Sequence, residues 1–376
     1  MLVFMAITHL PTWFSAHVGQ PLGFVSAAEG FVFLSAYLVG SVYARMATTR
    51  GMAAMRHALW DRAVKVYAVH AGLLLFLFWC LVPIAEMRGA EAITNLASFY
   101  REDPQTALAA GLLLLYNPPL LDILPMYVVF LLASPILIGW GSRRGWSALF
   151  ATSIILWMFA QFHGGRVVYE AIASLVDMRL PYEQTGAFAL LAWQLLWLVG
   201  LYFGVRSVDE GANKHEGILW ARPLWWTAVV MALVLLVWRH AVGQVPFGDN
   251  AALNALFDKW FLGPLRLFNF ALLAIIIMHC RPALGAWARN STIAMLGRAS
   301  LTVFSAHLVL CLSLLMSAGI SAPTKPVLLD AALLAGCLIT LYALAQISLN
   351  SSKATVGDAK QNPARDGNLG STSLTS

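Results

Sequence analysis

Charged side chains are scarce in this sequence: Asp, Glu, Lys and Arg make up 11% of its 376 residues. Soluble domains carry about 25% charged residues, so this chain has too few to cover a surface that faces water. The composition therefore excludes secreted disulfide scaffolds, nucleic-acid-binding modules and disordered proteins. Hydrophobic residues make up 60% of the chain, which predicts a polytopic membrane protein surrounded mostly by lipid.

Cysteine is also scarce, and the familiar catalytic motifs are missing. The sequence has no CxxC, GxGxxG, Walker or HExxH pattern, no nucleophile elbow and no internal repeat. We therefore expect no bound metal or cofactor. The cysteines lie in or beside apolar runs, which predicts buried packing residues and no disulfide: Cys80, Cys280, Cys311 and Cys337.

Apolar runs of about 20 residues can cross a bilayer, and their number predicts an all-α bundle of about ten transmembrane helices. They cover residues 1–16, 22–44, 63–85, 120–140, 146–162, 187–205, 223–238, 263–280, 299–317 and 327–347. These runs define a transmembrane domain of residues 1–347. The polar composition that follows predicts a disordered cytoplasmic tail at 348–376.

Basic residues are distributed unevenly between alternate loops. The loops expected on one side, which include 45–62, 143–144, 206–222 and 281–298, carry more Lys and Arg than those on the other side. Because Lys and Arg mark cytoplasmic loops, we expect both termini in the cytoplasm. The same asymmetry accounts for the net charge of +6 without a nucleic-acid partner.

Ionisable residues inside apolar runs indicate a functional site, because each costs about 2.5–3.5 kcal/mol to insert into a membrane. His9 lies before Leu10-Pro11 in the first run, and Glu29 lies in the second. A short connection makes these runs antiparallel neighbours, which places His9 and Glu29 at similar depths. A carboxylate beside an imidazole favours general-base chemistry, although such a pair also stabilises a bundle.

Two further ionisable residues lie in other runs. Asp122 is flanked by prolines in PPLLDILP, which predicts a wet cavity, with helix capping as the alternative. His70 follows a basic loop in the third run. That loop can hold the phosphates of a cytoplasmic donor, although positive-inside topology alone also explains its charges: Arg56, Arg62 and Lys65.

Weaker polar signals come from the second half of the chain. Gln194 lies in the middle of a run and needs a hydrogen-bond partner. Lys259 and Arg266 flank a Gly-Pro-Leu segment, where they can pair with an anionic group or with Asp258. His307 is equally compatible with packing and with function.

Six sequence blocks, in this order, resemble the OpgC family of osmoregulated periplasmic glucan succinyltransferases, which is related to the acyltransferase-3 superfamily. The blocks are SAAEGFVFLSAYLVGSVYAR, RAVKVYAVH, PPLLDILPMYVV, AWQLLWLVGLYFG, GPLRLFNFALLA and LGRASLTVFSAH. The resemblance implies an acyltransferase-3-like enzyme of the bacterial inner membrane. Such an enzyme takes succinyl groups from cytoplasmic succinyl-CoA, its co-substrate, and esterifies hydroxyls of a periplasmic glucan.

The resemblance also assigns family positions to residues of this chain. It places the family's first-helix and third-helix histidines at His9 and His70, its second-helix glutamate at Glu29, the aspartate of its LDILP block at Asp122 and its PLR arginine at Arg266. Relatives in the wider superfamily carry an arginine before the first-helix histidine, at a position that would precede Met1. A longer natural chain and the loss of this arginine are the two alternatives.

These residues together predict direct acyl transfer. His9 takes the proton of a sugar hydroxyl, Glu29 or Asp122 orients His9, and Gln194, Arg266 or a backbone amide stabilises the oxyanion. The alternative is a transporter or flippase of an acyl or glycan carrier, whose pathway would use the same buried charges. Inverted repeats would favour a transporter, and the sequence has none.

Overall fold

The computed structural model describes residues 1–18, 20–209, 222–280, 291–318 and 327–361. Within these ranges it is helical and has no β-strand. The α-helices are α1 Leu2–His9, α2 Trp13–Val18, α3 Ala27–Arg50, α4 Met52–Leu75, α5 Val82–Arg88, α6 Glu91–Leu96, α7 Ser98–Glu102, α8 Pro104–Leu112, α9 Ile123–Arg144, α10 Ser147–Gln161, α11 Gly164–Leu175, α12 Leu190–Asp209, α13 Arg222–Val242, α14 Ala251–Asn254, α15 Pro264–His279, α16 Thr292–Arg298, α17 Ser300–Ala318 and α18 Val327–Gln361. A π-helical turn, Phe76–Leu81, joins α4 to α5, and 3-10 turns lie at Tyr182–Thr185 and Ala255–Phe257.

Six helical stretches in the described ranges are long and apolar enough to cross a membrane, or up to eight if two bent helix pairs each form one span. The bent pairs are α10–α11, at 80°, and α16–α17, at 93°. The predicted all-helical membrane protein is therefore confirmed, whereas the predicted count of ten spans is not. The run at 263–280 folds as α15, whose 16 residues extend about 24 Å and do not cross a core of about 30 Å.

The predicted first span, residues 1–16, folds as two short helices. α1 ends at His9, Leu10 takes an extended conformation with ψ 136°, and α2 begins at Trp13. Pro11 causes this break, because proline disfavours the helical conformation of the residue before it and has no N–H to donate. Met1 packs against Gly30 in the first turn of α3. Met1 therefore lies near the start of α3.

α3 and α12 pack backbone against backbone. A Cβ at Gly204 would lie 2.2 Å from the carbonyl oxygen of Tyr37, and one at Gly200 would lie 2.6 Å from that of Phe33. Glycine at these positions lets the two backbones touch. Contacts advance in the same direction along both helices, so α3 and α12 are parallel.

α3, α9, α12 and α15 all begin at one end of the bundle, which we call the site end. Glu29 in the first turn of α3 contacts Arg266 in the first turn of α15. Asp122, immediately before α9, contacts Ala187 just before α12. Glu29, Asp122 and Arg266 therefore lie where these four helices start.

The opposite end, which we call the basic end, carries the arginines of two loops. Arg56 from α4 and Arg143 and Arg144 from the end of α9 line one cavity there. The loops 45–62 and 143–144 thus share an end, as predicted. The 22 residues of α9 separate the two ends by about 33 Å.

The C-terminal helix and the cysteines complete the fold. α18 continues to Gln361, past position 348, where the sequence predicts the tail to begin; residues 362–376 and the loop segments 210–221 and 281–290 lie outside the described residues. Cys311 and Cys337 are buried as predicted, but Cys280 is only half-buried and Cys80 is exposed. Cys80 follows Trp79, which is itself exposed on the π-helical turn, so this part of the turn does not face the core.

Candidate functional site

Glu29 forms a fully buried ion pair with Arg266. A capping box begins α3, in which Ser26 Oγ accepts the Ala28 N–H and Glu29 Oε2 accepts the Ser26 N–H at 2.9 Å. Ser26 Oγ also donates to Glu29 Oε2 at 2.6 Å, and Arg266 Nε donates to Glu29 Oε1. Donors therefore engage both carboxylate oxygens, as a buried ion pair requires, and the pair joins α3 to α15.

His9 contacts a second histidine, His307 of α17. His9 Nδ1 lies 3.1 Å from His307 Nε2, and the two rings are stacked. His307 Nδ1 lies 2.6 Å from the carbonyl oxygen of Phe304, which can only accept, so His307 Nδ1 carries the proton. In neutral imidazoles the other nitrogen accepts, so His9 Nδ1–H donates to His307 Nε2. His9 Nε2 is thereby left with a free lone pair.

The structure thus gives His9 a different hydrogen-bond partner from the Glu29 or Asp122 that the sequence predicts. Glu29 is bonded to Ser26 and Arg266, and Asp122 Oδ2 accepts the Ala187 N–H at 3.3 Å. The buried guanidinium of Arg266 satisfies Glu29 more fully than a neutral imidazole can, because it is itself charged. His9 and Glu29, predicted to pair with each other, therefore belong to two separate pairs, His9–His307 and Glu29–Arg266.

Lys259 interacts electrostatically with members of these pairs. Its ammonium nitrogen lies 4.3 Å from the ring centroid of Trp260 in the loop before α15. Burial lowers the pKa of the Lys259 amine, whereas the negative charges of Glu29 and Asp122 raise it. Lys259 also lies within electrostatic range of His9. Lys259 thus links His9, Glu29 and Asp122 in one cluster at the site end.

Asp122 occupies the position before α9 but does not cap that helix with its side chain. Its carboxylate instead accepts the Ala187 N–H, and a Cβ at Gly186, where φ is +103°, would lie 3.2 Å from the Asp122 Cβ. Burial raises the pKa of the Asp122 carboxyl to about 6, against the opposing effects of the Ala187 N–H and Lys259. Asp122 therefore changes charge just below neutral pH.

A family model described as OpgC protein matches residues 1–353. The chain belongs to the OpgC family. No curated protein and no solved structure matches this chain. Membership associates the chain with the modification of osmoregulated periplasmic glucans, and its apolar helices make it a membrane protein. All residues of the site-end cluster lie within the matched range.

Two predicted site residues of this OpgC family member lie in helix contacts away from the cluster. His70 is fully buried in α4, and its Nε2 donates to the carbonyl oxygen of Gly111 at 3.2 Å. The amide of Gln194 donates to the carbonyl oxygen of Ser153 and accepts from the Ser153 hydroxyl, which ties α12 to α10. The geometry gives His70 and Gln194 the role of polar links between helices.

Arg56 lines a cavity of about 460 Å³ between α4 and α9 at the basic end of the OpgC bundle. Its guanidinium lies over Trp60, and that of Arg144 lies over Trp140. Arg62 and Lys65 do not line this cavity. Arg62 lies in electrostatic range of Tyr43, and Lys65 is exposed. The apolar walls are formed mainly by Met52, Met55, Pro135, Ile136 and Gly139.

Asn269 and Asp258 also shape the site end. Asn269, which sequence reasoning misses, is fully buried, and its Oδ1 accepts the Phe24 N–H at 2.8 Å. The available signal is an amide three residues after Arg266 in an apolar helix, since residues at this spacing share a face. Asp258 is a turn residue, because its carboxylate accepts the Phe261 N–H at 2.7 Å.

Proposed function

We propose that this OpgC family member is a membrane-bound O-acyltransferase of the bacterial inner membrane. It transfers an acyl group, which in this proposal is succinyl, from cytoplasmic acyl-CoA to a hydroxyl of a periplasmic glucan. Family membership supports the glucan acceptor. The observation that carries the chemistry is the free lone pair on His9 Nε2, which follows from the hydrogen bonds of His307.

His9 acts as the general base in this proposal. As the glucan hydroxyl oxygen bonds to the thioester carbonyl carbon, His9 Nε2 takes the hydroxyl proton. The carbon–sulfur bond then breaks, and the leaving CoA thiolate takes that proton from the imidazolium. The products are a glucan ester and CoA thiol, so atoms and charges balance without a further reactant.

His307 is a positioning residue for this base. When His9 Nε2 takes a proton, His9 Nδ1–H still donates to His307 Nε2, so the cation forms without rotation of either ring. The Phe304 carbonyl holds His307 in the required tautomer. General-base catalysis depends on such prior orientation of the lone pair.

Lys259 stabilises the oxyanion that develops on the thioester carbonyl. It is a cation within electrostatic range of His9, and positive charge placed where negative charge develops lowers the barrier to acyl transfer. Gln194, one of the predicted oxyanion donors, has its amide engaged by Ser153. Arg266 is held by Glu29.

The cavity at the basic end binds the phosphates of the donor first, before the thioester moves to His9. Arg56, Arg143 and Arg144 supply three guanidinium groups at this cavity, and guanidinium groups bind phosphate oxygens in pairs. Positive-inside topology places this end in the cytoplasm. Arg62 and Lys65, outside the cavity, contribute only general positive charge to donor binding.

Detection of a covalent product distinguishes this function from transport. Purified protein in proteoliposomes is incubated with succinyl-CoA labelled in the acyl group and with periplasmic glucan, and the glucan is analysed by mass spectrometry. The acyltransferase yields a base-labile succinyl ester and free CoA thiol. Movement of label or glucan across the vesicle membrane without any ester would show a transporter instead.

A further inference from the structure

Two buried hydrogen-bond donors on one face of α15 lack partners among the residues that the structure describes. Arg266 is 2% exposed, and its Nη2 has no hydrogen-bond partner. Asn269 is 0% exposed, and its Nδ2 likewise has none. Buried donors are normally satisfied, and an exception calls for a ligand or a function.

The orientation of the Asn269 amide is fixed by its surroundings. Its Oδ1 accepts the Phe24 N–H, so the opposite atom of the amide must be the NH₂ group. A Cβ at Gly23, where φ is +88°, would lie 2.6 Å from that Oδ1. The backbone thus holds the amide close, and Nδ2 remains a donor three residues along the helix from Arg266, on the same side.

The charges around these donors favour an anion. Glu29 neutralises Arg266, while Arg239 lies in electrostatic range of Arg266 and Lys259 in range of both Glu29 and Arg266. With Asp122 ionised, three cations still face two carboxylates. The unpartnered donors thus lie in a buried region with surplus positive charge.

We propose that Arg266 Nη2 and Asn269 Nδ2 bind the free terminal carboxylate of a dicarboxylic acyl group. This inference rests on the proposed acyl transfer and adds the feature that selects which acyl-CoA is used. Two N–H donors match the two oxygens of one carboxylate, whereas a phosphate would retain further oxygens that these donors do not satisfy. The site therefore selects acyl groups that end in a carboxylate over neutral acyl groups of the same length.

Binding of two acyl-CoA molecules whose acyl chains have the same length tests the proposal without any need for turnover. Succinyl-CoA and butyryl-CoA are each titrated into the purified full-length protein, and the melting temperature is followed to obtain apparent Kd values. We expect succinyl-CoA to bind about tenfold more tightly than butyryl-CoA. Equal Kd values for the two donors would overturn the proposal.

Two conservative variants locate the selectivity. Arg266→Lys keeps a cation beside Glu29 but lacks Nη2, and Asn269→Asp keeps the acceptor for Phe24 N–H but replaces the donor by an anion. Each should reduce the preference for succinyl-CoA to less than about twofold, whereas Asn95→Asp at an exposed position should leave it unchanged. If Arg266→Lys does not fold, Asn269→Asp still decides the question, and retention of the preference in that variant contradicts the site.

The failure of this inference can be told apart from failure of the proposed function. Equal binding of succinyl-CoA and butyryl-CoA, with ester formed equally well from each, would contradict the carboxylate site and leave the proposed acyltransferase function unaffected. Selective binding of succinyl-CoA that is lost in Asn269→Asp, but without ester formation, supports the site and contradicts the transferase.

Discussion

At the residue scale, the proposed chemistry at the site end depends on one hydrogen-bond chain, from His9 through His307 to the carbonyl of Phe304. The sequence predicts His9, because an ionisable residue before Leu10-Pro11 is costly in lipid. It leaves His307 undecided, since the two histidines are 298 positions apart and no periodicity shows which helices touch. For the same reason, the sequence does not predict the Glu29–Arg266 pair.

Replacement of His307 tests its positioning role. His307→Leu removes both hydrogen bonds that fix the His9 tautomer, and we expect kcat for ester formation to fall about 100-fold, within the usual range for general-base catalysis. His307→Gln, which can accept from His9 and donate to Phe304, should recover at least a tenth of the wild-type rate. Rates are measured from pH 5.5 to 8.5, because a mobile His9 should also shift the pH profile.

A purely structural role for His307 predicts a different pattern. In that case both variants would lower the melting temperature, while kcat per folded molecule and the pH profile would match wild type. His57→Leu is the matched control, because His57 is exposed and distant from the site end.

Asp122 gives stability a distinctive pH dependence. Its folded-state pKa of about 6 lies above the usual value of 3.8, so the folded protein binds this proton more tightly than the unfolded chain. Stability from this group is therefore present below about pH 4 and is lost as the pH rises through about 6. Asp122→Asn removes the titration.

The melting temperature of Asp122→Asn minus that of wild type should thus increase from pH 4 to pH 6.5 and stay constant above it. Differential scanning fluorimetry across this range measures the trend. Asp249→Asn, at an exposed position, should show no such rise. A difference that is flat with pH for Asp122→Asn would mean that this carboxyl has an ordinary pKa in the folded protein.

At the scale of helices, the contact between α3 and α12 positions the site. α3 carries Glu29, and the segment that leads into α12 carries the Ala187 N–H that Asp122 accepts. Small residues in both helices allow the backbones to touch at Gly200 and Gly204. A shift of one helix against the other would therefore separate the two halves of the cluster.

Gly204→Leu tests this contact, because even its Cβ would lie 2.2 Å from the carbonyl oxygen of Tyr37. We expect an unfolding free energy lower by about 1–3 kcal/mol, as for other overpacked positions, measured by urea titration in detergent. Gly72→Ala is the control, since no atom lies near its Cβ position and alanine favours helix. Equal stability of the two variants would show that α3 and α12 can separate at no cost.

Hydropathy predicts the long helices well and the bent ones poorly. α3, α9 and α12 each correspond to one predicted run, because an apolar stretch of this length has few alternatives in lipid. Hydropathy reports how apolar a segment is and not the direction of its helix axis, so it does not predict the bends of 80° and 93°. The break at Leu10–Thr12 is signalled by Pro11, but its consequence for the span count depends on tertiary contacts.

At the scale of the whole molecule, the two ends of the bundle differ in chemistry. The site end combines acids, histidines and Lys259, whereas the basic end presents arginines around an apolar cavity. α9 keeps the ends about 33 Å apart. The cavity proposed for the nucleotide and the proposed general base therefore lie near opposite faces of the membrane.

Arg143→Gln/Arg144→Gln tests the donor cavity. Loss of two guanidinium groups should raise KM for acyl-CoA by about tenfold and leave kcat within twofold of wild type, because the phosphates do not react. Steady-state ester formation at varied acyl-CoA gives both constants. Lys65→Gln, outside the cavity, removes only general positive charge and should change KM by less than twofold and leave kcat unchanged; a KM effect as large for Lys65→Gln as for the double variant would place the donor elsewhere.

Single-turnover ester formation by His9→Ala is the most direct test of general-base catalysis at the site end. Purified wild type and variant are mixed with labelled succinyl-CoA and saturating glucan, and succinyl ester is quantified over time. Wild type should form ester, and His9→Ala should form it about 10²–10⁴ times more slowly, with an unchanged melting temperature and with His57→Ala at the wild-type rate. Ester formation by His9→Ala at the wild-type rate would contradict the role of His9 as the base.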